Sequence, residues 1–306
     1  MNSVTASSLG SLDESRLAAY ERDGFLVVKG LFSPAELAPL EDAYDADPSV
    51  NSSLYGMVDL EGKGHPFCTW TDLGDDMVGM IPRMARMVRA TESLLGEPCY
   101  HWHSKFSIKT KGCEARVDWH QDYTSWYNEG LLFPHLLTIG IAIKPVTRAN
   151  GCVQFIPGSH KMGRIGMISV VNPTNEDLFR RIDKAKQELG VVHAEMDVGD
   201  AVFFHANTLH GSDLNATDTP RVMMFCSYNA VSNPPYADLC CTNDEGAYMN
   251  IGYEDRRYRP IDVLPDDVLR ERKFVSAFSH TRFHDPDWDL DGDYYKAGKL
   301  DEAALR

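Results

Sequence analysis

Two patterns of hydrophobic and polar residues divide the chain. Up to about residue 97, apolar residues recur at intervals of three and four, which is typical of helices. We expect helices for LDESRLAAYERDG, SPAELAPLEDAYD and PRMARMVRATESLLG. Ser33 followed by Pro34 is a helix start signal, and Gly24 and Gly96 are stop signals. A short strand, FLVVKG at residues 25–30, separates the first two helices.

From Tyr100 the pattern changes to alternating or continuous apolar runs, separated by Gly, Pro and Asn. Six strands are predicted: YHWHSKFSIK, LLTIGIAIK, CVQFIPG, VVHAEM, DAVFFH and RVMMFCSYN. An amphipathic helix at residues 174–190 interrupts them. Helices followed by many strands predict an α+β, mainly β fold whose body is a sandwich or barrel. We expect one domain, residues 1–306, with a helical part at about 11–97, a barrel at about 98–240 and a C-terminal extension at about 241–306.

Composition narrows the class of protein. The 306 residues carry a formal net charge of −15 and no basic run, which argues against nucleic acid as a partner. We find no apolar segment near the ~20 residues of a membrane span and no signal peptide, so a cytoplasmic protein is expected. The 7 cysteines are scattered without a CxxC pair, as expected for reduced thiols. Oligomeric state is not predictable from these features.

A possible metal site is formed by His120 and Asp122 in VDWHQDYTSW and by His210 in FFHANTLHGS. On a strand, residues two apart point to the same face, so His120 and Asp122 would lie together. With His210 they form a 2-His-1-carboxylate set, which suits Fe(II) and leaves positions open for substrate. Either motif alone is weak, because isolated H-x-D pairs and core histidines are common; their order among apolar strands indicates the site.

Arg221 follows His210 at the start of the next apolar strand, in DTPRVMMF. A buried guanidinium needs an anionic partner, and its planar fork matches a carboxylate. The distal carboxylate of 2-oxoglutarate is one such partner. Taken alone, Arg221 also fits an ion-paired surface arginine.

Four blocks occur in the order typical of one family: WHQDYTSWYNEG, ANGCVQFIPGSHKMGRI, DVGDAVFFHANTLHGSDLN and PRVMMFCSYNAVSNPPY. With the opening YERDGFLVVKGLFSPAEL, they resemble the phytanoyl-CoA dioxygenase family of Fe(II)/2-oxoglutarate oxygenases over roughly residues 16–240. The resemblance implies a double-stranded β-helix, which is a cupin-like jelly-roll barrel with helices packed outside. It also implies His120, Asp122 and His210 as iron ligands and Arg221 as partner of the 2-oxoglutarate distal carboxylate.

Other residues follow from this resemblance as co-substrate contacts. Ser212 shares a face with His210 and is a second expected donor, and Lys105 is placed near the co-substrate, although a solvated lysine is an alternative. In LLTIGIAI, small residues including Thr138 and Gly140 share the face expected to point inward. Thr138 is a further candidate contact, unless neighbouring backbone satisfies its hydroxyl. Gly140 stands where some relatives have an aromatic residue, so a larger pocket is expected.

Aromatic residues follow the H-x-D motif and are candidates for contact with the substrate. We expect Tyr123, Trp126 and Tyr127 to form a wall over the open face of the metal, with at least one of them packed in the core. Trp126 is the first choice for a substrate contact. His160, in IPGSHKMGRI, is interpreted as a loop hydrogen-bonding residue rather than a ligand.

The expected activity is hydroxylation of an unactivated C–H bond with Fe(II), 2-oxoglutarate and O2, giving succinate and CO2. Hydroxylation is favoured because family halogenases have a small residue where this chain has Asp122. Desaturation, cyclisation and epimerisation remain alternatives. So do a cupin-like metal hydrolase or isomerase and a non-catalytic binding barrel. The expected substrate is a small natural product, amino acid or solute, since the net charge of −15 disfavours an anionic CoA ester.

Overall fold

Two antiparallel sheets form the body of the protein. The computed structural model describes residues 12–46, 55–71, 73–166, 176–236 and 259–271. Its strands are β1 (Phe25–Val28), β2 (Tyr55–Val58), β3 (Gly64–Trp70), β4 (Cys99–Lys109), β5 (Val117–His120), β6 (Leu136–Ala142), β7 (Val153–Phe155), β8 (Val192–His193), β9 (Ala201–His205), β10 (His210–Ser212) and β11 (Arg221–Ala230). The large sheet has the order β1-β9-β6-β11-β4-β3-β2, and the small sheet has the order β5-β10-β7-β8.

The helices lie outside the sheets. They are α1 (Glu14–Asp23), α2 (Pro34–Ala46), α3 (Met77–Met80), α4 (Ala85–Leu95), α5 (Asp122–Asn128), α6 (Glu176–Leu189) and α7 (Val268–Glu271). Short 3-10 turns occur at Ile81–Arg83 and Ser159–Met162. The helices begin and end at the residues that the sequence signals indicate. Ser33 and Glu36 form a capping box, in which the Ser33 N–H donates to the Glu36 carboxylate at 2.8 Å. Gly24 and Gly96 end α1 and α4 in the left-handed conformation.

Alternation along β6 separates the two hydrophobic cores. Leu137, Ile139 and Ile141 pack in the core shared with the outer helices. Ala142 packs in a second core between the sheets, together with residues of β7, β9 and β11. The expected inward face of small residues in β6 is therefore confirmed, and the barrel interior has room near its centre.

The six strands predicted after Tyr100 and the amphipathic helix, observed as α6, are all present. The N-terminal third differs from the prediction, because β2 and β3 lie within the part expected to be helical. β3 contains Pro66 and lacks alternation, and its pairing with β4 stabilises it as a strand. The whole-chain domain assignment stays a prediction. The first 11 residues and most of the expected C-terminal extension, including the tail from Phe283, lie outside the described residues.

Two further findings concern membranes and thiols. No helix within the described residues is long and apolar enough to cross a membrane. The cysteines that the structure describes, Cys68, Cys99, Cys113, Cys152 and Cys226, are free and buried. Cys240 and Cys241 lie outside the described residues. The described thiols thus agree with the expectation of reduced cysteines.

Candidate metal centre

His120, Asp122 and His210 come together at one end of the small sheet. Their potential ligand atoms all lie within 4.8 Å of one another. Asp122 Oδ1 is 3.5 Å from His120 Nε2 and 3.8 Å from His210 Nε2. Asp122 and His210 are buried, whereas His120 is half-buried. Two imidazole nitrogens and one carboxylate on one side of a small space form a donor set that suits Fe(II).

The local structure that brings these residues together differs from the predicted strand. His120 ends β5 and is directly paired with His210 of β10, so the imidazoles come from neighbouring strands. Asp122, however, is the first residue of α5, not a strand residue. The expectation that His120 and Asp122 share a strand face is therefore wrong. The chain turns at Gln121, and the helical turn directs the carboxylate back toward His120.

Hydrogen bonds fix the orientation of both imidazoles. Nδ1 of His120 donates to the Asp118 carbonyl at 2.7 Å, and Nδ1 of His210 donates to the Thr208 carbonyl at 2.9 Å. Each Nε2 is therefore directed toward Asp122 with a free lone pair, as metal ligation requires. Such carbonyl acceptors set the tautomer of a metal-binding histidine.

Charge states at the centre also suit a metal. Burial, followed by the charge of His120, lowers the pKa of His210 to about 3, which keeps its imidazole neutral. Burial opposes ionisation of Asp122, but the positive charge of Lys105, together with the interactions of the carboxylate with His210 and His120, outweighs it and holds the pKa of Asp122 well below its usual range. A neutral imidazole and an ionised carboxylate are the forms that bind a divalent cation.

Arg221 lies in the cavity between the sheets that also contains His120 and His210. Its Nη2 donates to Ser107 Oγ at 3.1 Å, and its buried Nε has no hydrogen-bond partner. Ser212 lines the same cavity, and its buried Oγ is also unpartnered. Burial lowers the pKa of Arg221 to about 10, so it stays charged at neutral pH. A buried cation with unused donors, and no carboxylate pairing with it among the described residues, fits an anionic ligand.

Two further basic residues stand beside Arg221, and the sequence reading missed them. Lys109 is directly paired with Arg221 across β4 and β11, and its ammonium donates to the carbonyls of Ala115 and Asp213. His65 on β3 is 1% exposed, with neither ring nitrogen hydrogen-bonded. Burial, then the positive charges of Lys109, Arg221 and Lys105, lowers the pKa of His65 well below its usual range. Lys109 lies in a long predicted strand beside apolar residues, and this position was the sequence signal that could have identified it.

Thr138 and Lys105 lie near the centre, in agreement with their predicted inward orientation. Thr138 Oγ1 is 3.4 Å from Asp122 Oδ2 and 2.9 Å from Ser227 Oγ, so side chains rather than backbone are its partners. The Lys105 ammonium lies 5.6 Å from the centroid of the Phe67 ring and 5.8 Å from that of Phe225. It is half-buried, unlike a solvated lysine.

The three aromatic residues after the H-x-D motif differ in exposure, and the wall that they are expected to form over the metal stays a prediction. Tyr123 and Trp126 are buried in an apolar cluster that includes Tyr100 and Trp102 of β4. The Tyr123 hydroxyl is satisfied by the carbonyls of Leu131 and Leu132. Tyr127 is 38% exposed, with the Arg164 guanidinium 3.9 Å from its ring centroid. Trp126 is 5.7 Å from the His103 ring, and its contact with substrate stays a prediction.

The glycine in β6 does not enlarge the cavity as expected. A Cβ atom at Gly140 would lie 2.7 Å from the Phe225 ring. Phe225 is paired with Gly140 across β11 and β6, so its ring occupies the space that the missing side chain leaves. His160 agrees with its predicted loop role, with Nε2 3.1 Å from the Glu21 carbonyl.

A jelly roll of two antiparallel sheets, with a 2-His-1-carboxylate set whose histidines line one cavity with a buried arginine, defines a non-haem iron, 2-oxoglutarate-dependent oxygenase. Comparison with known proteins identifies the family. The model of the phytanoyl-CoA dioxygenase (PhyH) family matches residues 20–223, and the chain belongs to that family.

Individual relatives agree with this class. An ectoine dioxygenase of Bordetella parapertussis is 28% identical over 276 residues, covering 83% of this chain and 87% of the relative. The L-proline trans-4-hydroxylase of Streptomyces griseoviridis is 29% identical over 176 residues, covering 53% and 66%. The structure of EctD from S. alaskensis with 2-oxoglutarate and 5-hydroxyectoine has a TM-score of 0.63 at 22% identity, covering 87% and 92%. The jelly-roll fold is thus confirmed, and the protein is a dioxygenase that uses iron, 2-oxoglutarate and O2.

Proposed function

We propose that the enzyme hydroxylates an unactivated C–H bond of a small amino acid, solute or natural product, with conversion of 2-oxoglutarate to succinate and CO2. His120, Asp122 and His210 would hold the iron. The observation that carries the proposal is a set of three ligand atoms within 4.8 Å of one another, two of whose residues line a cavity with the buried guanidinium of Arg221.

Each residue of the cavity has a physical task in this reaction. Arg221 would bind the distal carboxylate of 2-oxoglutarate by charge-assisted hydrogen bonds, and Ser212 would add a hydroxyl donor. Thr138 would restrain Asp122 through the contact described above, and Lys105 would supply positive charge near the co-substrate. Phe67, Phe204 and Phe225 line the cavity and exclude water. Bound iron supplies the oxygen chemistry, and the protein supplies position and a dry site.

Two facts support this substrate class. Two relatives are named for ectoine and L-proline, which are small zwitterions that carry both a charged nitrogen and a carboxylate. A strongly acidic chain does not favour a polyanionic ligand. The carboxylate of Asp122 would take a coordination position on the bound metal, which supports hydroxylation rather than halogen transfer.

The test is an anaerobic titration of the purified protein with Fe(II) and then 2-oxoglutarate. Bidentate chelation produces a weak visible charge-transfer band. We expect the band in the wild type, its loss in His210→Ala, and a requirement for at least tenfold more 2-oxoglutarate in Arg221→Met. Bound metal without a band would contradict the proposal and favour a metal hydrolase or isomerase.

A substrate screen follows the titration. Ectoine, L-proline and related small molecules are added in air, and succinate is measured by chromatography. Substrate-dependent succinate with a product 16 mass units heavier indicates hydroxylation. A product 2 mass units lighter would indicate desaturation or ring closure, and an unchanged mass with inverted configuration would indicate epimerisation.

A further inference from the structure

The helix that carries the iron ligand Asp122 also carries a second carboxylate. Glu129 directly follows α5 as its C-cap residue, with φ −81° and ψ 8°. Asp122 and Glu129 are seven residues apart, close to two helical turns, so they lie on the same face of the helix. At 1.5 Å per residue the two positions are about 10 Å apart along the axis. This separation along the helix matches the length of a small substrate.

The spacing of seven residues places Glu129 on the face of α5 that carries Asp122. The charges that act on its carboxylate are those of Asp122 and Lys105. The ammonium of Lys105 lies beside the rings of Phe67 and Phe225, which line the cavity. Glu129 is half-buried, and within the described residues its carboxylate has neither a hydrogen-bond donor nor an ion-pair partner.

Three features of the environment disfavour a negative charge at this position. Burial comes first, and the like charge of Asp122 adds to it, so the pKa of Glu129 is raised to about 7, with Lys105 opposing. The C-terminal end of a helix also carries partial negative charge from its free carbonyls, which favours a cation there and not a carboxylate. An acidic residue in such a place is stabilised when a bound group brings positive charge.

We propose that Glu129 is a specificity-determining residue, which pairs with a positively charged nitrogen of the substrate while the oxidised carbon lies at the iron. This inference rests on the proposed function and narrows the substrate class to small molecules with a cationic nitrogen. Lys105 does not supply the positive charge that would pair with Glu129. Its ammonium lies beside the two phenylalanine rings and forms no ion pair with Glu129 among the described residues.

The experiment compares matched probes on the enzyme loaded with Fe(II) and 2-oxoglutarate. L-Proline and cyclopentanecarboxylate share a five-membered ring and a carboxylate, but only proline carries a charged nitrogen. Ectoine and pyrrolidine are further cationic probes, and cyclopentanol is a further neutral one. Binding is read from the change that each probe causes in the visible band, and turnover from succinate formed in air. The variants are Glu129→Gln, Glu129→Asp and, as a control, the exposed Glu188→Gln on α6.

In the wild type and in Glu188→Gln, we expect the best cationic probe to act at concentrations at least tenfold lower than the probes that lack a charged nitrogen. Glu129→Gln should lose this preference without a change in the 2-oxoglutarate concentration that develops the band, and Glu129→Asp should keep part of it. Preference for the cationic probes that survives in Glu129→Gln would overturn the inference. A wild type that responds equally to both kinds of probe, or to none of the cations, would overturn it as well. Absence of the band itself would instead contradict the proposed function.

Discussion

Arg221 lies at the first position of β11, buried, with its Nε unpartnered. Replacement by methionine preserves much of the volume but removes the charge and its hydrogen bonds to the co-substrate. A charge-assisted hydrogen bond contributes about 1.5–3 kcal/mol, so Arg221→Met should weaken 2-oxoglutarate binding by about 10- to 100-fold. Calorimetric titration of glutarate, which has both carboxylates but no keto group, measures this effect on iron-free protein.

The exposed Arg180 of α6, paired with Glu176, offers a matched control. Arg180→Met should bind glutarate as the wild type does. Equal affinities in Arg221→Met and the wild type would show that another residue holds the carboxylate.

Gly140 of β6 lies against the ring of Phe225. Since a Cβ atom there would meet the Phe225 ring at 2.7 Å, Gly140→Ala must displace that ring or the strand. Overpacking of this kind costs about 1–3 kcal/mol in the free energy of unfolding, which urea denaturation measures. Phe225→Leu in the same chain should recover part of the loss, and additive effects of the two changes would contradict direct contact.

At the residue scale, sequence reasoning identified the chemistry better than the geometry. Histidines, a carboxylate and an arginine are recognisable as residue types in a given order. The turn at Gln121 that places Asp122 on a helix was not recognisable, because the hydrogen bonds that fix it come from distant residues. His65 was missed because a histidine followed by proline carries no local signal of its position beside Lys109 and Arg221.

At the scale of elements, Gln121 connects the metal ligands to two loops. Its Nε2 donates to the carbonyls of Gly163 and Asn207 at 2.8 Å each, and its Oε1 accepts from the N–H of Ile165 at 2.9 Å. Gln121→Ala would leave these backbone groups unsatisfied, at about 1–3 kcal/mol for a buried group. We expect lower stability in thermal unfolding and weaker Fe(II) binding, because the junction between β5 and α5 loosens.

The exposed Gln187 of α6 supplies the comparison for that change. Gln187→Ala should alter neither the midpoint of unfolding nor the affinity for iron. Unchanged iron binding in Gln121→Ala would mean that Asp122 is positioned by α5 alone.

Elements with a regular pattern were predictable, and those that depend on pairing were not. In β6 large and small side chains alternate between two buried faces, and the amphipathic pattern of α6 reflects burial on one face; a sequence displays both patterns directly. β2 and β3 contain Gly and Pro and are stabilised by their partners in the large sheet. Such context overrides local propensity, so these strands were read as part of a helical region.

On the scale of the whole molecule, Arg86 of α4 connects separate parts of the chain. Its guanidinium lies 3.0 Å from Glu36 in α2 and 3.1 Å from Asp266, and it donates to the Leu31 carbonyl at 2.8 Å. Arg86 and Glu36 are 4% and 5% exposed. Arg86→Met would leave the Glu36 carboxylate buried with one partner fewer, at about 3–5 kcal/mol in the free energy of unfolding. Urea denaturation at pH 7 measures this loss.

Low pH should weaken the ion pair between Arg86 and Glu36. Burial opposes ionisation of Glu36, but hydrogen bonds from Ser33 and Arg86 outweigh it and lower its pKa. A carboxyl whose pKa is lower in the folded state contributes stability above its unfolded value, about 4.3, and loses it as pH falls through the folded value. The wild type should therefore lose stability below about pH 4.3 more steeply than Glu36→Gln. Parallel pH profiles of the two proteins would contradict this assignment.

The two halves of the proposed chemistry are carried by different sheets. The metal ligands belong to the small sheet and the helix that follows it, whereas Arg221, Ser107 and Lys109 belong to the large sheet. Apart from Ser212 on β10 and Thr138 on β6, substitutions that tune metal retention and substitutions that tune co-substrate affinity therefore fall on separate sheets. Evolution can adjust either property without the other, so a descendant of this chain could lose its dependence on 2-oxoglutarate and still inherit an intact metal site.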